Sequence, residues 1–112
     1  MRYDLQIIAS WIDPGSHVLD LGCGNGELLR YLMNKKKVTG SGIELEEEKV
    51  NAGIVKGLMV LQGDINEEVP DCPERTFDYV ILGQTLQQLS EPDTLIREIM
   101  RIGKKGIVSF PN

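Results

Sequence analysis

The stretch Val18-Leu-Asp-Leu-Gly-Cys-Gly-Asn-Gly-Glu-Leu-Leu29 decides the fold. Val18 to Leu21 is short, apolar and stops at glycines, the profile of a buried strand. Beyond the loop, Leu28, Leu29 and Leu32 fall on one helical stripe within Glu27 to Lys35. The hydrophobic period therefore switches from strand to helix across a turn built on Gly22, Gly24 and Gly26. A turn that admits a ligand against its backbone needs residues without side chains, and the amides opening the next helix attract a negative group.

Outward from this unit the same alternation repeats. Before it, Leu5, Ile8, Trp11 and Ile12 recur at helical spacing up to the turn Asp13-Pro14-Gly15, which predicts a short helix with Trp11 on its apolar, core or lid face. After it, Val38 to Glu44 reads as a strand. Glu46 to Lys56 reads as a helix with acids in its first turn and Gly57 past its end, and Leu58 to Gln62 as a third strand. A loop with Pro70 and Pro73 covers Ile65 to Thr76. Phe77 to Leu82 is a buried strand, Pro92 to Ile102 a helix, and Gly106 to Phe110 a fifth strand. Strands alternating with single helices require parallel pairing and right-handed crossovers, so the fold class is α/β, a doubly wound, mostly parallel, Rossmann-like sheet over a single domain, residues 1–112. Ligands of such sheets bind at the carboxyl ends of the strands. The glycine loop, Glu44, Asp64 and Gly83-Gln84 all fall there.

Composition limits the partners. The chain has 112 residues, 41% hydrophobic and 26% charged, which fits one ordinary globular domain. Acids outnumber lysines and arginines 17 to 12, for a net charge of -5, which argues against a nucleic-acid partner because phosphate binding is driven by basic side chains. The basic cluster Lys35 to Lys37 falls at a helix end, where it reads as a solvated C-terminus meeting the negative end of the dipole. Two cysteines give neither a disulfide framework nor a metal quartet and suggest reduced thiols. No apolar run reaches the ~18 residues of a membrane span and the N-terminus lacks a signal pattern, so a cytoplasmic location is expected.

The loop spacing discriminates between ligands. Dinucleotide enzymes use G-x-G-x-x-G for a pyrophosphate. Here the spacing is G-x-G-x-G, with Asp20 two residues before Gly22. A carboxylate beside the loop suits an ammonium group better than two phosphates. S-adenosylmethionine carries such an amino acid end. Glu44, 18 residues after Gly26, can accept ribose hydroxyls, a role an acid also plays in the dinucleotide fold. Asp64 adds an acceptor where the adenine amino group would lie, and Ile43, Leu45 and Ile65 could wall the base. The competing readings are a helix-capping Glu44 and an Asp64 that initiates the turn before Asn66. His17, the single histidine, precedes the first strand at its amino end, away from the crevice, and Cys23 reads as a small side chain packed behind the loop.

The segments D-L-G-C-G-N-G at 20–26, G-I-E at 42–44, Q-G-D-I at 62–65 and F-D-Y-V-I-L at 77–82 resemble the successive motifs of class I S-adenosylmethionine-dependent methyltransferases. More specifically, R-Y-D-L-Q-I-I-A-S-W-I at the N-terminus, L-G-Q-T-L-Q at 82–87 and G-I-V-S-F-P-N at 106–112 are similar to the methionine biosynthesis family MetW. Carried over residue by residue, the resemblance implies Asp20, Gly22, Cys23, Gly24 and Gly26 for the methionine end of the cofactor. It implies Glu44 for the ribose, Asp64 with Ile65 for the adenine, and Gln84 for the mouth of the pocket. S-adenosylhomocysteine would be the product form.

The resemblance further implies an S-adenosylmethionine-binding protein that acts with, or regulates, homoserine O-acyltransferase. The alternative it leaves open is a small-molecule methyltransferase. Family members run on through a further helix and a closing antiparallel pair, whereas this chain stops at Asn112, so a sheet without those C-terminal strands is expected. The place after the fourth strand, Leu82-Gly-Gln-Thr-Leu-Gln87, lacks the N-P-P-Y type motif of amino-methyltransferases, and no catalytic residue is assigned. An uncovered fifth strand, Ile107 to Phe110, is expected to self-associate unless another segment covers it.

Overall fold

The computed structural model describes residues 3–83 and 91–108. The elements run α1 (Tyr3–Ser10), β1 (His17–Leu21), α2 (Glu27–Lys36), β2 (Thr39–Glu44), α3 (Glu47–Val55) and β3 (Met59–Gln62). A short α4 (Ile65–Glu68) with a 3₁₀ turn (Val69–Asp71), β4 (Phe77–Leu82), α5 (Pro92–Ile102) and β5 (Gly103–Val108) complete it. The five strands form one sheet in the order β3-β2-β1-β4-β5. Every pairing is parallel, with Leu19 opposite Ser41 on one side and Val80 on the other.

Alternating side chains of the central strands feed two cores, because successive residues of a strand point to opposite faces. Leu19, Leu21, Val80 and Leu82 pack with Val69 and with Leu95, Ile99 and Ile102 of α5. Val18, Tyr79 and Ile81 pack with Ile8 and Ile12 at α1 and with Leu28 and Leu32 of α2. Burial on both faces is why β1 and β4 read as continuous apolar runs. β2 has the opposite composition, Thr-Gly-Ser-Gly-Ile-Glu. Its glycines admit close neighbours: a Cβ on Gly42 would stand 2.6 Å from Cys23 Sγ and 3.1 Å from Leu29 Cδ1.

Four local expectations are corrected. β5 begins at Gly103, directly after α5, and not at Gly106, so Lys104 and Lys105 belong to the strand. They are exposed, Lys104 paired with Asp78 at 3.2 Å and Lys105 over the Tyr79 ring. Lysines read as loop in a sequence but are tolerated on an edge strand, where they discourage pairing with other chains. The loop from Ile65 contains α4 and the 3₁₀ turn. Trp11, expected on the buried stripe, follows the end of α1 and is 58% exposed, while Ile12 is buried in its place. Lys36 is not a freely solvated cation: its Nζ donates to the carbonyls of Ala9 (2.5 Å) and Ile12 (2.7 Å), tying the end of α1 to the end of α2.

Candidate cofactor site

The carboxyl ends of β1, β2 and β3 bring the glycine loop, Glu44 and Asp64 to one edge of the sheet. The loop is shaped by backbone geometry. Gly26 opens α2 in the left-handed region (φ 85), and a Cβ there would collide with the Leu58 side chain. The N–H groups of Gly22 (2.8 Å) and Cys23 (3.2 Å) both donate to the Ile43 carbonyl, so the loop is folded back on the end of β2.

Glu44 sits at the centre of this arrangement and is buried. Its Oε1 accepts the Gly24 N–H and its Oε2 the Glu46 N–H, each at 2.9 Å. A carboxylate offers about four acceptor positions, so capacity for two further donors remains. The capping role and a role toward ligand hydroxyls are therefore compatible at this residue.

Asp20 is the electrostatic anomaly. It is only 5% exposed, yet it accepts no hydrogen bond and forms no ion pair among the described residues. Burial first, and the nearby Glu44 carboxylate second, push its carboxyl up to about 7. A buried carboxylate with no partner among the described residues is costly, and a further donor or cation beside it would lower that cost.

The remaining candidates divide. Asp64 caps α4, its Oδ1 accepting from the Asn66 backbone (2.8 Å) and side-chain amide (3.0 Å), while Oδ2 has no partner among the described residues. Ile43 is buried, and Ile65 packs against the same core cluster. Leu45 is 59% exposed. Cys23 is packed behind the loop with Leu29 and Leu58, and burial, with Asp20 next, pushes its thiol up to about 12, which removes it as a nucleophile. His17 lies at the opposite end of β1, its Nδ1 3.0 Å from the Thr76 carbonyl oxygen and its ring against Phe77. Gln84 lies outside the described residues. The Ile43 carbonyl and the Glu46 amide were not legible beforehand, because main-chain groups acquire such roles through strand register alone. Among the described residues no group of His, Cys, Asp and Glu converges as metal ligands, and no helix is long and apolar enough to cross a membrane.

The family described as methionine biosynthesis protein MetW matches residues 2–112. This chain belongs to the MetW family. The bifunctional methionine biosynthesis protein MetXA/MetW of Rhodopirellula baltica is 37% identical over 120 residues, covering 100% of this chain and 19% of that protein. A demethylmenaquinone methyltransferase of Symbiobacterium thermophilum is 30% identical over 104 residues, 83% of this chain and 40% of its own length. Among solved structures, a SAM-dependent methyltransferase from Aquifex aeolicus superposes with a TM-score of 0.71 at 30% identity, over 89% of this chain and 58% of that one. The [4+2]-cyclase SpnF superposes with a TM-score of 0.77 at 26% identity, over 88% of this chain and 39% of that one. The MetW chain thus spans less than half of the curated relatives named here and has the Rossmann-like methyltransferase fold. That SpnF is described as a cyclase shows that this fold does not by itself specify methyl transfer.

Proposed function

We propose that this MetW-family chain binds S-adenosylmethionine at the glycine loop and, in the cytoplasm, acts with or regulates a homoserine O-acyltransferase of methionine biosynthesis. The observation that carries the ligand is Asp20: a buried carboxylate with no partner among the described residues, beside a glycine turn, fits a ligand ammonium. Glu44 retains acceptor capacity for two ribose hydroxyls, and Asp64 Oδ2 is open to an adenine amino group. The N–H groups of Gly22, Cys23 and Gly24 are already engaged within the protein, so the ligand carboxylate is left to other donors.

When bound, the cofactor would supply an electrophilic methyl on a sulfonium. In this reading Asp20, Glu44 and Asp64 bind and orient it. The partner rests on the Rhodopirellula relative, whose name joins MetXA and MetW in one polypeptide. A ligand that favours one conformation of this chain would shift the partner's activity by its differential affinity.

Isothermal titration with S-adenosylmethionine and with NAD tests the ligand. Mixing with the acyltransferase, with and without S-adenosylmethionine, tests the partner, and unchanged activity with no co-elution would overturn it. A second reading, a small-molecule methyltransferase, is favoured by the relatives named for methyl transfer. It predicts label transfer from methyl-labelled cofactor to a small acceptor; tight cofactor binding with no turnover across an acceptor panel would count against it.

A further inference from the structure

The glycine loop and the start of α3 are separate in sequence but share one side chain. We infer that Glu44 is a positioning residue that holds the glycine loop in its receiving shape before any ligand arrives. This deepens the reading of the cofactor site and rests on it only for what the loop receives.

Each glycine of the loop is restrained differently. Gly26 is fixed by the Leu58 side chain standing where a Cβ would go, and Gly22 and Cys23 are fixed by the Ile43 carbonyl. Gly24 has no such support. It is left-handed (φ 59), and the space a Cβ would occupy is open to 4 Å, so no side chain stands there as Leu58 stands at Gly26. Its N–H donates to Glu44 Oε1 at 2.9 Å, and its carbonyl takes only a weak 3.7 Å contact from the neighbouring Cys23 Sγ.

Glu44 is itself held from the other side, because Oε2 takes the Glu46 N–H at 2.9 Å and so anchors the carboxylate to the turn that opens α3. The side chain is a strap between two strand-to-helix turns. A hydrogen bond to a buried carboxylate contributes more than a neutral one, and here both oxygens are used. Because two acceptor positions remain, the strap and a pair of ligand hydroxyls can be held together, and the ligand meets a loop already ordered.

A Glu44→Gln side chain has one carbonyl oxygen, so one of the two straps is lost in either amide orientation, and the NH₂ group then faces an N–H. Amide hydrogen exchange of the ligand-free chain is the readout. Glu44→Gln is expected to raise exchange at Gly24 or Glu46 by roughly tenfold to a hundredfold, the loss of one charge-assisted bond, while amides of β1 and β4 stay unchanged. Unchanged exchange at both positions in a folded variant would overturn the inference.

If the variant fails to fold, the unmodified protein still decides. In the ligand-free chain the Gly24 and Glu46 amides are expected to exchange at least roughly tenfold more slowly than in an unstructured peptide, because each donates to one carboxylate oxygen. Exchange at the unstructured rate at either position would overturn the strap. Neither measurement contains a ligand, so failure to bind S-adenosylmethionine leaves this result standing, and the reverse holds as well.

Discussion

Replacing Asp20 with Asn removes a buried charge that the fold holds at a cost. Burial and the Glu44 carboxylate raise the Asp20 carboxyl from 3.8 to about 7. A carboxyl whose folded value lies above its unfolded value contributes no penalty below pH ~4, and the folded state loses stability as pH rises toward 7. That rise at Asp20 corresponds to about 4 kcal/mol once ionisation is complete. The amide of the variant is also unpaired, which costs about 1–3 kcal/mol at every pH. That constant offset cancels when two pH values are compared, as do the shared titrating groups that are not coupled to Asp20. The stability of Asp20→Asn relative to the parent should therefore increase by about 3 kcal/mol between pH 5 and pH 8. Urea unfolding of both proteins at the two pH values measures it. A difference that is flat with pH, or one that falls toward pH 8, would refute the assignment of Asp20 as a buried carboxyl without a partner among the described residues.

Other substitutions probe the supports of the site. Gly42→Ala sets a Cβ 2.6 Å from Cys23 Sγ at the back of the loop, and denaturant melts should show a loss of about 1–3 kcal/mol. Lys36→Met removes two donors from the end of α1, and α1 amides should exchange several-fold faster while β1 and β4 amides do not change. Cys23, buried and with its thiol pushed up to about 12, should resist alkylation at pH 8 in the folded chain and react fully in urea; rapid modification under native conditions would contradict its packing behind the loop.

What could be read ahead of the structure follows from how local the signals are. The β1–loop–α2 unit was legible because an apolar run, three glycines and a helical leucine stripe lie within one contiguous segment. Parallel pairing followed from the alternation of elements, and the strand order confirms the doubly wound sheet. Features set by distant contacts were not legible. Lys104 and Lys105 look like loop until β4 pairs with them along the sheet edge, where exposed lysines are at home. Lys36 looks solvated until α1 presents two carbonyls to it. Trp11 follows the apolar spacing of α1, but the helix ends at Ser10 and the next turn buries Ile12 instead.

The candidate site shows the same division. Glu44 and Asp64 were placed at strand ends by pattern alone, and the structure puts them there. Their hydrogen bonds to Gly24, Glu46 and Asn66 depend on turn geometry that no residue pattern encodes. Asp20 was singled out as a charge beside the loop. Its isolation became visible only when burial and the lack of a described partner could be read together.

Calorimetric titration of the ligand-free chain shows whether the crevice beside Asp20 and Glu44 receives S-adenosylmethionine. Saturable one-to-one binding of S-adenosylmethionine is expected, with no comparable heat from NAD and at least tenfold weaker binding in Asp20→Asn. Equal binding by Asp20→Asn, or a preference for NAD, would contradict it.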